Sequence, residues 1–208
     1  LLLESQTRVV DLGWSQYVSV AFAKGYSLNN CRVMIDGVDV TEAMTPVDLL
    51  RRAGVEVTMV SVTGSRLVCG ARQITVQADI LFEEADFSDA DLLILPGGMP
   101  GTLHLKEHKG LAELLEAEDK NGTYLAAICA APSVFGGLGL TEGKKASIYP
   151  GMEEALVGAN VSFDPVSVDG HLVTSRGVGT AIPFALKLVE LLCDAKKAEE
   201  IGKSIVFA

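Results

Sequence analysis

The stretch YLAAICAAPSVFGG, residues 124–137, joins a run of small and apolar residues to one cysteine, Cys129, followed by a proline and two glycines. A short apolar run is typical of a buried strand, and Pro132 suits the first turn of a helix, where a missing backbone N–H costs nothing. We therefore predict a sharp strand-to-helix turn that carries Cys129. Such a turn is analogous to the nucleophile elbow of hydrolases, although the G-x-S-x-G signature is absent.

This stretch alone leaves two interpretations of Cys129 open. Free cysteine is among the most buried residue types, so the thiol can be a structural side chain. Alternatively, the positive end of the following helix favours thiolate over thiol, which would lower the pKa of Cys129 and prepare it to attack electrophiles.

Outward from this turn, apolar runs alternate with amphipathic stretches. Strands are predicted in VEVTMVSV (55–62), RQITVQAD (72–79), DADLLILPGG (89–98) and TYLAAI (123–128), with a hairpin in VSVDGHLVTS (166–175) that turns at Asp169 and Gly170. Helices are predicted in LHLKEHKGLAELLEAEDKNG (103–122) and GTAIPFALKLVELL (179–192). Strands that alternate with helices imply right-handed crossovers. The pattern therefore predicts an α/β sandwich with a mostly parallel central sheet.

Composition limits the classes of partner. The chain has 208 residues, of which 49% are hydrophobic, and we expect one domain over residues 1–208. A net charge of −10 disfavours nucleic acid and anionic membrane surfaces, so small molecules or proteins are the expected partners. No apolar run approaches the ~20 residues of a membrane span, and the first residues do not have the pattern of a signal peptide. We predict a cytoplasmic protein.

The cysteines and histidines do not indicate a metal site. Cys31, Cys69, Cys129 and Cys193 are far apart and form no C-x-x-C pair, so we expect reduced thiols. His104 and His108 have the H-x-x-E-H spacing that can bind zinc on a helix, but that helix is acidic and offers no third ligand. We predict neither a metal nor a cofactor.

Two further segments belong at the carboxyl ends of the strands, where ligands of open α/β sheets bind. PGGMPG (96–101) follows a buried strand. The Gly98 and Ala130 amides together would form a two-donor oxyanion hole. The alternative is that PGGMPG is an ordinary turn with no role in binding. Glu42 lies at or just before a helix start near Pro46 and is either a solvated acid or a proton donor to the cysteine.

Taken together, four motifs resemble the ThiJ/PfpI superfamily, in particular its branch of parkinsonism-associated deglycases (DJ-one). They are DVTEAMTPVDLLRRAGVEVT (39–58), LLILPGG (92–98), LAAICAAP (125–132) and LVTSRGVGTAIPFAL (172–186). They occur in the family's order, and the resemblance extends over about residues 38–205. It implies a flavodoxin-like three-layer sandwich that forms a homodimer.

The resemblance also implies the roles of individual residues. Cys129 would be the nucleophile and Glu42 its protonated partner, with the Gly97–Gly98 turn and Ala130 supplying the oxyanion site. The remaining residues that it implies around the pocket are Tyr149, Ser175 and Arg176, the last two contributed in part across the dimer. Tyr149 stands where the vertebrate deglycase has a histidine, so proton transfer would depend more heavily on Glu42.

The activities that the resemblance implies are those of a cofactor-independent glyoxalase or protein deglycase, acting on α-oxoaldehydes such as methylglyoxal or on glycated substrates. A hemithioacetal on Cys129 would be the first intermediate. The alternative is an oxidative-stress sensor or chaperone with little turnover. Proteolysis is disfavoured, because the peptidase branch has histidine directly after its cysteine and this chain has Ala130.

The first strand is ambiguous. Family members begin with a strand that ends about four residues before the glutamate, and both YVSVAFAKG (17–25) and CRVMIDG (31–37) fit that description. Removing residues 26–37 would join AFAKG to VDVTEA, which matches the family pattern better. The comparison of the two segments therefore predicts a 12-residue insertion at 26–37, beside the active site.

Overall fold

The computed structural model describes residues 29–207, which form a central sheet covered by helices on both faces. The strands are β1 (Asn30–Ile35), β2 (Glu56–Ser61), β3 (Leu67–Cys69), β4 (Thr75–Gln77), β5 (Ile80–Leu81), β6 (Leu92–Leu95), β7 (Tyr124–Ile128), β8 (Lys145–Ala146), β9 (Asn160–Val161), β10 (Val166–Asp169) and β11 (Leu172–Ser175). The helices are α1 (Val40–Ala53), α2 (Gly101–Glu107), α3 (Lys109–Asn121), α4 (Pro132–Gly137), α5 (Ala181–Leu192) and α6 (Ala195–Ser204).

The main sheet has seven strands in the order β10-β11-β7-β6-β1-β2-β5. All neighbours in it are parallel except β10, which pairs with β11 as the predicted antiparallel hairpin. The five strands β2-β1-β6-β7-β11 follow the 2-1-3-4-5 order of flavodoxin-like folds. The predicted three-layer α/β sandwich with a mostly parallel sheet is confirmed.

Alternation along the strands divides the core between the two faces of the sheet. In β1, Cys31, Val33 and Ile35 point into the cluster beneath α1 and α5, whereas Met34 points into the cluster beneath α2, α3 and α4. The strands β6 and β7 have the same division, and they are apolar on both faces, as parallel strands buried between two helical layers must be.

The predicted insertion at 26–37 is wrong for the part that the structure describes. Residues 30–35 are strand β1, which pairs with β2 on one side and β6 on the other, in the middle of the sheet. Removing it would divide the sheet in two. The competing segment 17–25 and residues 26–28 lie outside the described residues.

Three other boundaries differ from the sequence prediction. The helix expected over 103–122 breaks at His108, whose ring nitrogen accepts a hydrogen bond from the Leu111 amide and so caps α3. The strand expected over 72–79 shrinks to β4, which pairs only with β3 in a separate two-stranded ribbon. Helix α1 begins at Val40, so Pro46 lies inside it and Glu42 lies in its first turn.

Between residues 29 and 207, no helix has both the length and the apolar character that a bilayer crossing requires.

Candidate active site

The carboxyl ends of β1, β6, β7 and β11 lie side by side at one edge of the sheet, and a cleft of about 690 Å³ opens above them. Glu42 and Cys129 both line this cleft, together with Gly98 and Ala130. The topology thus brings together side chains that are 87 positions apart in the sequence (129 − 42). A cleft at this edge is the usual ligand site of an open α/β sheet.

Cys129 is the first residue after β7 and has the left-handed backbone conformation, with φ of 63°. That conformation is unfavourable for a residue with a Cβ and costs ~1–2 kcal/mol. Two backbone hydrogen bonds hold it: the Cys129 amide donates to the Ser175 carbonyl (3.0 Å), and its carbonyl accepts from the Tyr149 amide (2.9 Å). The predicted sharp turn is confirmed, and its strained residue is the cysteine itself.

Glu42 is held in place by the start of α1. Asp39 caps this helix, with one carboxylate oxygen accepting from the amides of Thr41 (3.0 Å) and Glu42 (3.4 Å). The Glu42 side chain is only 1% exposed, and its Oε2 atom accepts a hydrogen bond from the Gly97 amide (3.0 Å). A glutamate three residues after an N-cap ordinarily reaches back to the cap. Glu42 instead lies beside Cys129, and both residues line the cleft.

The Gly97–Gly98 turn lies too close to its neighbours to carry side chains. A Cβ on Gly97 would lie 2.6 Å from the Cys129 Cβ and 2.7 Å from Glu42 Oε2. Gly98 has φ of 96°, and a Cβ there would lie 2.3 Å from the Asp39 amide nitrogen. Glycine at both positions lets the loop backbone come between the strand ends and reach the Glu42–Cys129 pair.

Burial and proximity make the two acids titrate as a unit. Burial raises the pKa of Glu42 to about 7, against a smaller lowering by its hydrogen bonds. Burial, and then the charge of Glu42, raise the pKa of Cys129 to about 12, while hydrogen bonds from the Ala130 and Gly98 amides lower it. The predicted low thiol pKa is therefore wrong for the state in which Glu42 is ionised.

The state with Glu42 protonated is different. Its carboxyl then carries no charge and donates to the sulfur, so the two effects by which Glu42 raises the pKa of Cys129 are absent. The pair with one proton thus has two forms, thiol with carboxylate and thiolate with carboxylic acid. In the second form the thiolate lies beside a neutral acid, and the Ala130 and Gly98 amides also lower the pKa of Cys129.

The other predicted pocket residues divide into two groups. Tyr149, half exposed, and Arg176 line the cleft. Ser175 does not: it is fully buried, and its hydroxyl donates to the Pro165 carbonyl (2.7 Å). Gly97 also lies behind the lining, where its amide serves Glu42. Ser175 and Gly97 therefore support the pair without facing a ligand.

Sequence reasoning missed two residues of the site. Asp39 positions Glu42, and the Asp-x-x-Glu spacing of 39–42 is the capping signal that would have revealed it. Arg72 lines the cleft from the β3–β4 ribbon, and no local pattern marks it because the ribbon is placed by tertiary packing.

The two histidines of the zinc-like spacing have structural partners. His104 pairs with Asp36 (2.8 Å) and His108 caps α3. No group of three or more metal-binding side chains occurs within residues 29–207.

Comparison with known proteins agrees with the fold. Residues 31–191 match the model of the DJ-1/PfpI family, so the match includes β1. The crystal structure of Drosophila melanogaster DJ-1beta superposes with a TM-score of 0.83 at 33% identity, over 88% of this chain and 100% of that one.

Two curated relatives extend the comparison. Protein DJ-1 homolog B of Arabidopsis thaliana is 41% identical over 82% of this chain, and the chain spans only 39% of that protein's length. A Caenorhabditis elegans relative named glutathione-independent glyoxalase DJR-1.2 is 30% identical, over 80% of this chain and 89% of its own. From the family match and these similarities, the chain belongs to the DJ-1/PfpI family.

Proposed function

We propose that the protein is a cofactor-independent enzyme that converts α-oxoaldehydes such as methylglyoxal to 2-hydroxy acids. The observation that carries this proposal is the buried acid Glu42 beside Cys129 at an open cleft, which Gly98 and Ala130 also line. The name of the Caenorhabditis elegans relative supports the same class of reaction.

In the first step the sulfur of Cys129 adds to the aldehyde carbon and gives a hemithioacetal. The reactive form of the pair is thiolate with protonated Glu42, so the sulfur attacks without an external base. The Gly98 and Ala130 amides stabilise the oxygen that gains negative charge. That oxygen then takes the Glu42 proton, which completes the hemithioacetal and leaves Glu42 as the carboxylate that the second step needs.

In the second step Glu42 moves a proton from the former aldehyde carbon to the neighbouring carbonyl carbon. Its raised pKa of about 7 suits this role, because a group that titrates near the working pH both accepts and donates a proton readily. The product is a thioester, and water hydrolyses it to the 2-hydroxy acid and regenerates the thiol. The aldehyde carbon is oxidised and the ketone carbon reduced, so the reaction needs no external oxidant.

The test is lactate formation from methylglyoxal by the purified protein in the absence of glutathione. We expect activity in the native protein and a loss of ~10²–10⁴-fold in Glu42→Gln, the typical contribution of a positioned acid-base group. Full methylglyoxal consumption by both Glu42→Gln and Cys129→Ala would refute the mechanism.

A second candidate, a peroxide sensor, is favoured by the Gly98 and Ala130 amides, which lower the pKa of Cys129 and so favour its thiolate. Cys129 would reduce two molecules of peroxide in succession and become a sulfinate, whose oxygens the Ala130 and Gly98 amides would hold. Mass spectrometry after graded peroxide, run beside the lactate assay, separates the candidates. A gain of two oxygens on Cys129 with no lactate formation would favour the sensor.

A homodimer, a cytoplasmic location, action on glycated proteins and a single domain over residues 1–208 stay predictions.

A further inference from the structure

The arginines of this acidic protein fall into two groups. Residues 29–207 contain six of them, and four have a carboxylate within 4.0 Å: Arg32 with Asp89, Arg51 with Asp79, Arg52 with Asp48 and Arg66 with Glu84. Within this described part of the chain, Arg72 and Arg176 have no such partner. These are also the two arginines that line the cleft above Cys129.

Arg176 reaches the cleft from the end of β11. Its guanidinium lies over the Phe163 ring, 5.7 Å from the centroid, and donates one hydrogen bond to the Phe163 carbonyl (3.3 Å). Its buried Nε atom has no hydrogen-bond partner. The next residue, Gly177, is so close to the nucleophile that a Cβ on it would lie 4.0 Å from the Cys129 sulfur.

The acids near Arg176 do not neutralise it. Backbone amides are the main cause that lowers the pKa of the partly exposed Glu153, and Arg176 contributes least. Asp39, which also lines the cleft, directs a carboxylate oxygen at the α1 amides. A guanidinium with unused donors in such a place favours an anionic ligand.

Arg72 reaches the cleft from the turn of the β3–β4 ribbon, which is fixed to the loop before Glu42. The Ala71 amide donates to the Val38 carbonyl (2.9 Å), and a Cβ on Gly70 would lie 2.6 Å from a Val40 methyl carbon. The ribbon is thus packed on the segment that positions Glu42. The Arg72 side chain itself is exposed and has only a 3.4 Å hydrogen bond to the adjoining carbonyl.

We propose that Arg72 and Arg176 form a subsite for an anionic group, so that the preferred substrates are α-oxoaldehydes whose chain ends in a carboxylate. This inference rests on the proposed function for its reaction, but the subsite itself can be tested without turnover. For 4,5-dioxopentanoate the reaction is addition of water to give 2-hydroxyglutarate. As with methylglyoxal, the aldehyde carbon is oxidised and the adjacent ketone carbon reduced.

Charge-matched alkylating agents test the subsite directly. Iodoacetate and iodoacetamide have similar size and react with the same thiolate, so the ratio of their rates cancels any change in thiolate content. We expect the ratio of the iodoacetate rate to the iodoacetamide rate to be at least about tenfold higher at Cys129 than at Cys193. Cys193 is exposed and serves as the internal reference, because its alkylation is measured on a separate peptide. High salt should bring the two ratios together.

Variants assign the effect to the arginines. Arg72→Gln should lower the Cys129 ratio about tenfold. Arg176→Gln should do the same. Arg66→Gln removes the same charge from the same ribbon, but Arg66 is paired with Glu84 outside the cleft, so this control should keep the native ratio. Equal ratios at Cys129 and Cys193, or a native ratio in both Arg72→Gln and Arg176→Gln, would overturn the subsite.

Turnover is measured with a second matched pair, 4,5-dioxopentanoate and the uncharged 2-oxopentanal. The subsite predicts a higher kcat/KM for the anion and a fall of about tenfold in the ratio of the two values in Arg72→Gln. Consumption of both substrates with no preference for the anion overturns the arginine proposal and leaves the proposed function intact. A high alkylation ratio with neither substrate consumed contradicts the proposed function and supports the subsite.

Discussion

Cys31 and Cys129 belong to two parallel strands of the same sheet, separated by β6, yet their surroundings have opposite consequences. Cys31 is near the start of β1, between Val57 of β2 and Leu92 of β6, fully buried in the apolar cluster beneath α1. Cys129 comes one residue after the end of β7, partly exposed to the cleft. Burial raises the pKa of both thiols.

The difference lies in the groups that can exchange a proton or stabilise a charge. Cys31 is surrounded by apolar side chains, and burial alone dominates its raised pKa. Cys129 has an acid, Glu42, beside it, and the amides of Ala130 and Gly98 lower the pKa of its thiol. The reactivity of Cys129 therefore depends on the acid and the amides that meet at the end of β7. Cys31 lies inside a strand, has no such groups beside it, and is expected to be unreactive.

Exchanging each cysteine for alanine should produce the largest contrast. Cys129→Ala should lose more than ~10³-fold in kcat/KM for methylglyoxal, because the covalent step has no other nucleophile. Cys31→Ala should keep its activity and lower the free energy of unfolding by about 1–2 kcal/mol, from the space left in the core. Steady-state kinetics and denaturant unfolding check the pair. Comparable activity losses in both variants would remove the distinction.

The acid beside Cys129 should make stability depend on pH. The pKa of Glu42 is about 7 in the folded chain and near 4.5 without burial, so the native state binds more protons between these values. The free energy of unfolding should therefore fall as pH rises from 4.5 to 7, by up to about 3 kcal/mol. Glu42→Gln should abolish this fall.

Thermal unfolding at a series of pH values measures the difference between native protein and variant. Glu113→Gln is the matched control, since Glu113 is an exposed acid on α3. A native fall that Glu42→Gln leaves unchanged would show that Glu42 is not the titrating group.

The difference in stability between a glycine and an alanine variant should have opposite signs at the two cysteines, because their backbone conformations differ. At Cys129, φ of 63° penalises any Cβ, so Cys129→Gly should be more stable than Cys129→Ala by ~1 kcal/mol. At Cys31, inside a regular strand, glycine should be less stable than alanine by ~0.5–1 kcal/mol. Denaturant unfolding of the four variants gives both signs. The same sign at both positions would mean that the turn at Cys129 is not strained.

Local pattern predicted most of the fold. Apolar runs located the strands at 55–62, 89–98 and 123–128, and the Asp169–Gly170 turn located the β10–β11 hairpin. The pattern failed where tertiary contacts decide. CRVMIDG at 31–37 was interpreted as part of an insertion because joining AFAKG to VDVTEA matches the family's hydrophobic pattern better, yet residues 30–35 form β1 inside the sheet. The break at His108 depends on a side-chain cap that helical periodicity does not reveal.

The site was predictable in its members and not in its electrostatics. Cys129, Glu42 and Gly98 each follow from a local signal at a strand or helix end. The raised pKa of Glu42 depends on burial by residues far away in sequence, and the hidden position of Ser175 depends on its bond to Pro165. Arg72 was missed for the same reason.

The rate of Cys129 alkylation by iodoacetamide as a function of pH tests the central claim most directly. If Cys129 and Glu42 share one proton, the rate should rise with an apparent pKa at or below about 7 and then reach a plateau. The urea-unfolded chain, measured in parallel, should titrate near the unperturbed value of ~8.5. A folded protein that shows one ionisation at or above ~8.5, and no step below it, would contradict the account.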